Sequence, residues 1–178
     1  MEQGVIMMKS ERVFLIGFMG AGKSTAGKLA ADRLSHPFID LDQYIEEREK
    51  RSIPDIFKAD GEVYFRTLEA GAIKEIGEPS VTATGGGILY DPKTGEWMRN
   101  HGLVIYLHAP FEELYTRISG DHNRPVAATR TKEELEELYQ KRHEQYQDVA
   151  HVTLSVDGVS PDITADQIRS AVMERAGI

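Results

Sequence analysis

Gly17-Phe18-Met19-Gly20-Ala21-Gly22-Lys23-Ser24-Thr25 follows the apolar run Val13-Phe14-Leu15-Ile16 and leads into Ala26 to Leu34. The spacing fits G-x-x-x-x-G-K-[ST], with Gly17, Gly22, Lys23 and Ser24 at the fixed places. Glycines let successive backbone N–H groups, from Gly20 and Ala21 through Gly22 to Thr25, turn inward as an anion nest that a β-carbon would obstruct. Lys23 adds a point charge that reaches β- and γ-phosphates, and Ser24 offers a hydroxyl to Mg²⁺. The helix that opens here turns its positive dipole end toward the anion. A flexible glycine turn with a chance lysine would not need a buried strand before it and a helix after it, and both are present.

Working outward, strands and helices alternate. Phe38-Ile39-Asp40 reads as a second strand, Val81-Thr82-Ala83 as a third, Leu103 to Leu107 as a fourth and His151 to Val156 as a fifth. Between them lie helical stretches: Gln43 to Lys50, a short turn capped by Ser52, Glu62 to Ile76 after Gly61, Asp91 to Asn100, and Pro110 to Ser119. Thr131 and Glu134 make a capping box for a helix ending near Gln147, and Ser160-Pro161 starts the last, to about Ala176. Alternation of this kind predicts a parallel sheet covered by helices on both faces, an α/β fold. Residues 120 to 130 lack any period and are expected to form a mobile surface loop. Residues 1 to 10 are expected to be a flexible tail, and residues 11 to 178 one domain.

The chain has 178 residues, 40% hydrophobic and 28% charged, which fits a single globular domain with a sizeable core. It contains no cysteine, so disulfides, thiol catalysis and Cys-ligated zinc are excluded. The patch Val5 to Met8 is too short for a signal-peptide core, and no run is long enough to cross a bilayer. A cytoplasmic protein with no membrane partner is expected. With 21 basic against 29 acidic residues the net charge is −8, which repels nucleic acid on average. The acidic runs around Glu46 and Glu133 read as solvated helix faces, and the six histidines lack metal spacing.

Asp40 and Asp42 lie two apart at the carboxyl end of the second strand, where open α/β sheets bind ligands. Two alternatives stand. Either Asp42 caps the next helix and Asp40 is a solvated turn residue, or one carboxylate orients Mg²⁺ through water while the other handles an acceptor hydroxyl. Gly85-Gly86-Gly87 after the third strand is either loop slack or a place where a ligand approaches the backbone. Arg66 and Arg142 sit on charge-rich helices where surface salt bridges are the default. Arg124, before Pro125 in the unpatterned loop, suits a group that folds over developing phosphoryl charge.

Taken in order, these motifs resemble the shikimate kinases from residue 12 nearly to the end. The match runs through the glycine loop, Phe38-Ile39-Asp40-Leu41-Asp42, Gly61-Glu62, Phe65-Arg66, Leu68-Glu69, the glycine triplet, Arg124-Pro125, and Arg142 with Tyr146. The resemblance implies Mg²⁺- and ATP-dependent phosphorylation of the shikimate 3-hydroxyl, a step toward chorismate and the aromatic amino acids. It implies a fold like that of nucleoside monophosphate kinases, a three-layer α/β/α arrangement with strand order 2-3-1-4-5; a monomer is expected. It further implies that Asp40 assists Mg²⁺ with Ser24, and that Asp42 binds the shikimate hydroxyls and acts as base. Arg66 and Arg142 would hold the substrate carboxylate, with backbone contacts from Gly85, Gly86 and Gly87. Lys23 and Arg124 would reach the phosphates, with residues 120 to 131 as a lid, and Arg117 would pack on adenine. Three places depart from the family pattern. Val126-Ala127 follows Pro125 where many members have two leucines, His143-Glu144 follows Arg142 in place of alanine-proline, and no arginine lies near Ser160-Pro161. Rivals are a kinase for another hydroxy acid such as gluconate, and a nucleotide switch. The switch's N-K-x-D and D-x-x-G patterns are absent.

Overall fold

The computed structural model describes residues 11–119 and 125–178; the expected tail and Arg124 lie outside them. Five strands form one parallel sheet: β1 Arg12–Ile16, β2 Phe38–Asp40, β3 Ser80–Ala83, β4 Gly102–His108 and β5 Val152–Ser155. Their order is β2-β3-β1-β4-β5, as expected. β1 sits at the centre with Val13 opposite Val81 on one side and Leu103 on the other. Val13 to Ile16 are wholly buried, which requires cover on both faces and explains the unbroken apolar run.

The helices are α1 Lys23–Leu34, α2 Leu41–Glu49, α3 Ile53–Glu75, α4 Pro92–His101, α5 Phe111–Ile118, α6 Pro125–Ala128, α7 Lys132–Val149 and α8 Pro161–Ala176. α1 and α8 pack together beside β1, β3 and β5, while α7 packs with α4 and α5 against β4. Ser52, Asp91, Thr131 and Ser160 each cap a helix through a side-chain oxygen, and Thr131 with Glu134 completes the capping box.

Three details differ from the sequence reading. The turn after Ser52 and the helix after Gly61 are one continuous run, kinked at Gly61 (φ 84, ψ 173), a backbone conformation open to glycine alone. α2 begins at Leu41 and not Gln43, because the cap is Asp40. The stretch 120 to 130 is not wholly irregular: α6 occupies residues 125 to 128, started by a proline whose fixed φ suits a first helical turn.

Candidate active site

The phosphate loop leaves β1 and enters α1 at Gly22, which adopts the left-handed conformation (φ 82, ψ 23) and caps the helix without any side-chain hydrogen bond. The first-turn N–H groups therefore point outward with no side chain over them, as an anion site requires. The Lys23 ammonium donates to the carbonyls of Gly17 at 2.6 Å and Phe18 at 3.0 Å, which draws the lysine along the loop. Ala21 N–H donates to the Phe18 carbonyl at 3.2 Å, closing the turn. Arg117 forms the outer wall, donating to the Gly20 carbonyl at 3.0 Å while it pairs with Glu113 at 2.9 Å.

Both aspartates border the same cavity of about 340 Å³ with Lys23, Ser24 and Gly85. They get there by a route the sequence reading did not foresee. β2 stops at Asp40, so strand alternation does not align the pair; Leu41, fully buried, starts α2 and Asp42 lies in its first turn. The helix cap is Asp40 and not Asp42: Asp40 Oδ1 accepts from Gln43 N–H at 3.2 Å. Its Oδ2 accepts from the Ser24 hydroxyl at 2.8 Å, which joins the second strand to the phosphate loop. Burial, with the nearby Asp40 charge, holds the Asp42 carboxyl above the usual carboxylate range, while Lys23 and Arg66 pull it back. Its Oδ1 is buried with no hydrogen-bond partner among the described residues.

The glycine triplet organises the other end. Thr84 anchors it, its N–H and hydroxyl both donating to the Leu15 carbonyl at 3.1 and 2.8 Å. Each glycine then faces a charged group. A Cβ on Gly85 would lie 2.8 Å from Glu69 Oε2 and 3.1 Å from Asp42 Oδ1; one on Gly86 would lie 3.1 Å from Arg142 Nη1; one on Gly87 would overlap the Arg66 guanidinium. The triplet is not slack: the protein's own charged side chains pack against its backbone. Arg66 and Arg142 are both buried, each 8% exposed, against the expectation of surface salt bridges. Arg66 is held by Glu69 at 3.0 Å and Glu62 at 3.2 Å. Arg142 has no hydrogen bond or ion pair among the described residues; its guanidinium lies 5.8 Å over the Phe18 ring, and burial pulls its pKa down. A buried cation without a counter-ion is costly unless an anion arrives.

Glu69 is a site residue that sequence reasoning used only as a motif. It is 1% exposed, and burial pushes its carboxyl up to about 7 although Arg66 opposes the shift. Its three-residue offset from Arg66 on a helix was the available signal. The structure thus brings Gly20, Gly22, Lys23, Ser24, Thr25, Asp40, Asp42, Gly85, Gly86 and Arg117 to one cavity, with Gly87, Arg66 and Arg142 beside it. Ala21 is buried in the loop, and Arg124 lies outside the described residues.

The family model described as shikimate kinase matches residues 19–173. The chain belongs to the shikimate kinase family. A shikimate kinase from Persephonella marina is 42% identical over 151 residues, covering 84% of this chain and 91% of that one. One from Enterococcus faecalis is 39% identical over 167 residues, covering 92% and 99%. Among solved structures, the shikimate kinase from Acinetobacter baumannii in complex with shikimate superposes with a TM-score of 0.90 at 33% identity, covering 94% of this chain and 96% of that one. Placed in this family, the chain shares the P-loop kinase fold that its sheet order already displays.

Proposed function

We propose that this shikimate kinase transfers the γ-phosphate of ATP to the 3-hydroxyl of shikimate, with the phosphate loop as donor site and the glycine triplet as acceptor site. The observation that carries the assignment is Arg142, a buried guanidinium with no ion pair or hydrogen bond among the described residues, facing Gly86 at the edge of the phosphate cavity. Together with Arg66 it offers a planar fork to a carboxylate, and an acceptor held by its acid at one end presents its alcohol at the other. Asp42, with a free buried oxygen and a carboxyl raised by burial, takes the hydroxyl proton as the O–P bond forms and the bond from phosphorus to the ADP oxygen breaks. Lys23 and the N–H groups of residues 20 to 25 bind the phosphates; Arg117 packs on adenine; Arg124 closes over the transferring phosphoryl group within a lid of residues 120 to 131.

Mg²⁺ fits the donor set. Among the described residues no group of three or more metal-binding side chains occurs, yet Mg²⁺ in such sites takes one or two carboxylates and keeps its water and phosphate oxygens. Ser24 and Asp40, two hard oxygen donors joined at 2.8 Å, would hold it, and it would neutralise charge on the β- and γ-phosphates. We further read residues 11 to 178 as one domain and the chain as a monomeric cytoplasmic enzyme acting on small molecules, which its charge of −8 supports over a nucleic-acid partner. Among the described residues no helix is long and apolar enough to cross a membrane.

The deciding experiment measures ADP release with Mg²⁺ against a panel of hydroxy acids. Shikimate-dependent turnover, lost with chelator, is expected; turnover with gluconate and none with shikimate would overturn the acceptor assignment.

A further inference from the structure

The two arginines of the acceptor site are held differently. Arg66 is aimed by two carboxylates. Arg142 has no such partner among the described residues, so its direction depends on how α7 is seated. The inner face of α7 is Leu135, Tyr139, Arg142 and Tyr146. Three side chains of α7 tie it to the sheet and to the loops at the sheet's carboxyl edge. The Tyr146 hydroxyl donates to the Gly86 carbonyl. The Tyr139 hydroxyl donates to the Ala109 carbonyl at 2.8 Å, which uses its one proton, so His108 Nε2 at 3.1 Å must be the donor of their shared bond. The third tie is His143 Nδ1 to the Tyr106 hydroxyl at 2.8 Å.

This third tie is the one set against Arg142. His143 is its immediate neighbour, and the Tyr106 ring packs on Tyr146 with centroids 4.9 Å apart. Tyr106 is 1% exposed, and its hydroxyl has His143 as its hydrogen-bond partner among the described residues. Burial raises the Tyr106 pKa far above the working range, so the group stays a neutral phenol that needs this partner. The imidazole of His143 is also wedged between rings, stacked on Tyr139 at 5.9 Å and 5.0 Å from His108. Rotation or lift of α7 at this point breaks the bond and carries Arg142 away from Gly86.

We propose that His143 is a positioning residue for substrate binding: through its hydrogen bond to Tyr106 it sets the rotation of α7 that presents Arg142 to the acceptor's carboxylate. This rests on the assignment of Arg142 to that carboxylate. The side chain touches no reactant, and its effect belongs to shikimate and not to ATP, whose site lies on α1.

The test is steady-state kinetics with both substrates for Arg142→Ala, His143→Ala, His143→Asn, Tyr106→Phe and the double variant His143→Ala/Tyr106→Phe, each checked for folding by melting. His143→Ala and Tyr106→Phe are each expected to raise the shikimate KM about three- to tenfold, the yield of one neutral hydrogen bond. The ATP KM and kcat should stay within about twofold, and the double variant should be no worse than the worse single one. His143→Asn, whose amide reaches Tyr106 from the same side as Nδ1, should restore most of the loss. Equal changes in both KM values, additive singles, or no rescue by asparagine would overturn the proposal and leave His143 a packing residue. If His143→Ala is silent while Arg142→Ala raises the shikimate KM, only the positioning role falls. If Arg142→Ala itself leaves that KM unchanged, the carboxylate assignment and this proposal fall together.

Discussion

At the proposed nucleotide end of the cleft most of the assigned groups come from consecutive residues 17 to 25, largely backbone N–H donors on a strand-to-helix turn, with Asp40 and Arg117 reaching in from other elements. At the proposed acceptor end they come from far apart in the chain: Asp42 on α2, Arg66 and Glu69 on α3, the triplet after β3, and Arg142 on α7. In this assignment the first end binds a polyanion with dipoles and one buried lysine already held by the loop's own carbonyls, a device that works wherever its short motif folds. The second buries ionisable groups, two of them guanidinium ions, against the glycine triplet. Burying charge is expensive unless every partner is in place, so this end depends on how well the helices dock. The comparison teaches that affinity for nucleotide should survive damage that ruins acceptor handling.

Asp42→Asn is the harshest test of that division. It should lower kcat by roughly 10² to 10⁴, the range for loss of a general base, while nucleotide binding followed by fluorescence stays near wild type. Retention of near wild-type kcat would remove Asp42 from the chemistry. Next in size, Arg66→Ala should raise the shikimate KM by roughly 10- to 100-fold, the scale of a lost charged hydrogen bond, with the ATP KM little moved. Gly87→Ala should act in the same direction because its methyl displaces the same guanidinium. Parallel changes in both KM values would erase the distinction between the two ends.

A smaller effect comes from pH. Glu69 has its folded pKa raised from 4.5 to about 7, so between those values the native state holds more protons than the unfolded chain. Its contribution to stability therefore falls as pH rises through that window. Ionised Glu69 also competes with the substrate carboxylate for Arg66. The shikimate KM should thus climb by less than about tenfold as pH passes through 7, and the climb should flatten in Glu69→Gln. A pH profile of unchanged slope in that variant would assign the titration elsewhere. Smallest for catalysis, Gly61→Ala forces a side chain into a glycine-only conformation at the α3 kink and should cost about 1 kcal/mol or more. Thermal melting should report this as a fall of a few degrees, with Arg66 still functional.

The parallel α/β alternation and the phosphate site were legible in the residues because both follow from local rules, whereas the strand order came only with the family resemblance. A buried strand needs an apolar run, a parallel neighbour needs a crossover helix, and an anion nest needs glycines at fixed spacing. The capping box at Thr131 and the proline starts belong to the same class. The aspartates were half legible. Their presence was plain, but which one caps α2 turned on where β2 stops, and Leu41 settles that by burying itself at the junction.

What the amino-acid sequence determined by itself is the alternating α/β plan and the cradle for phosphates, since each is encoded within a few turns of chain. What tertiary packing alone decided is that Arg66, Arg142 and Glu69 leave the solvent, and that each glycine of the triplet meets its own charge. The physical reason is desolvation. A side chain on a charge-rich helix looks solvated until another element removes its water, and that element is distant in the chain.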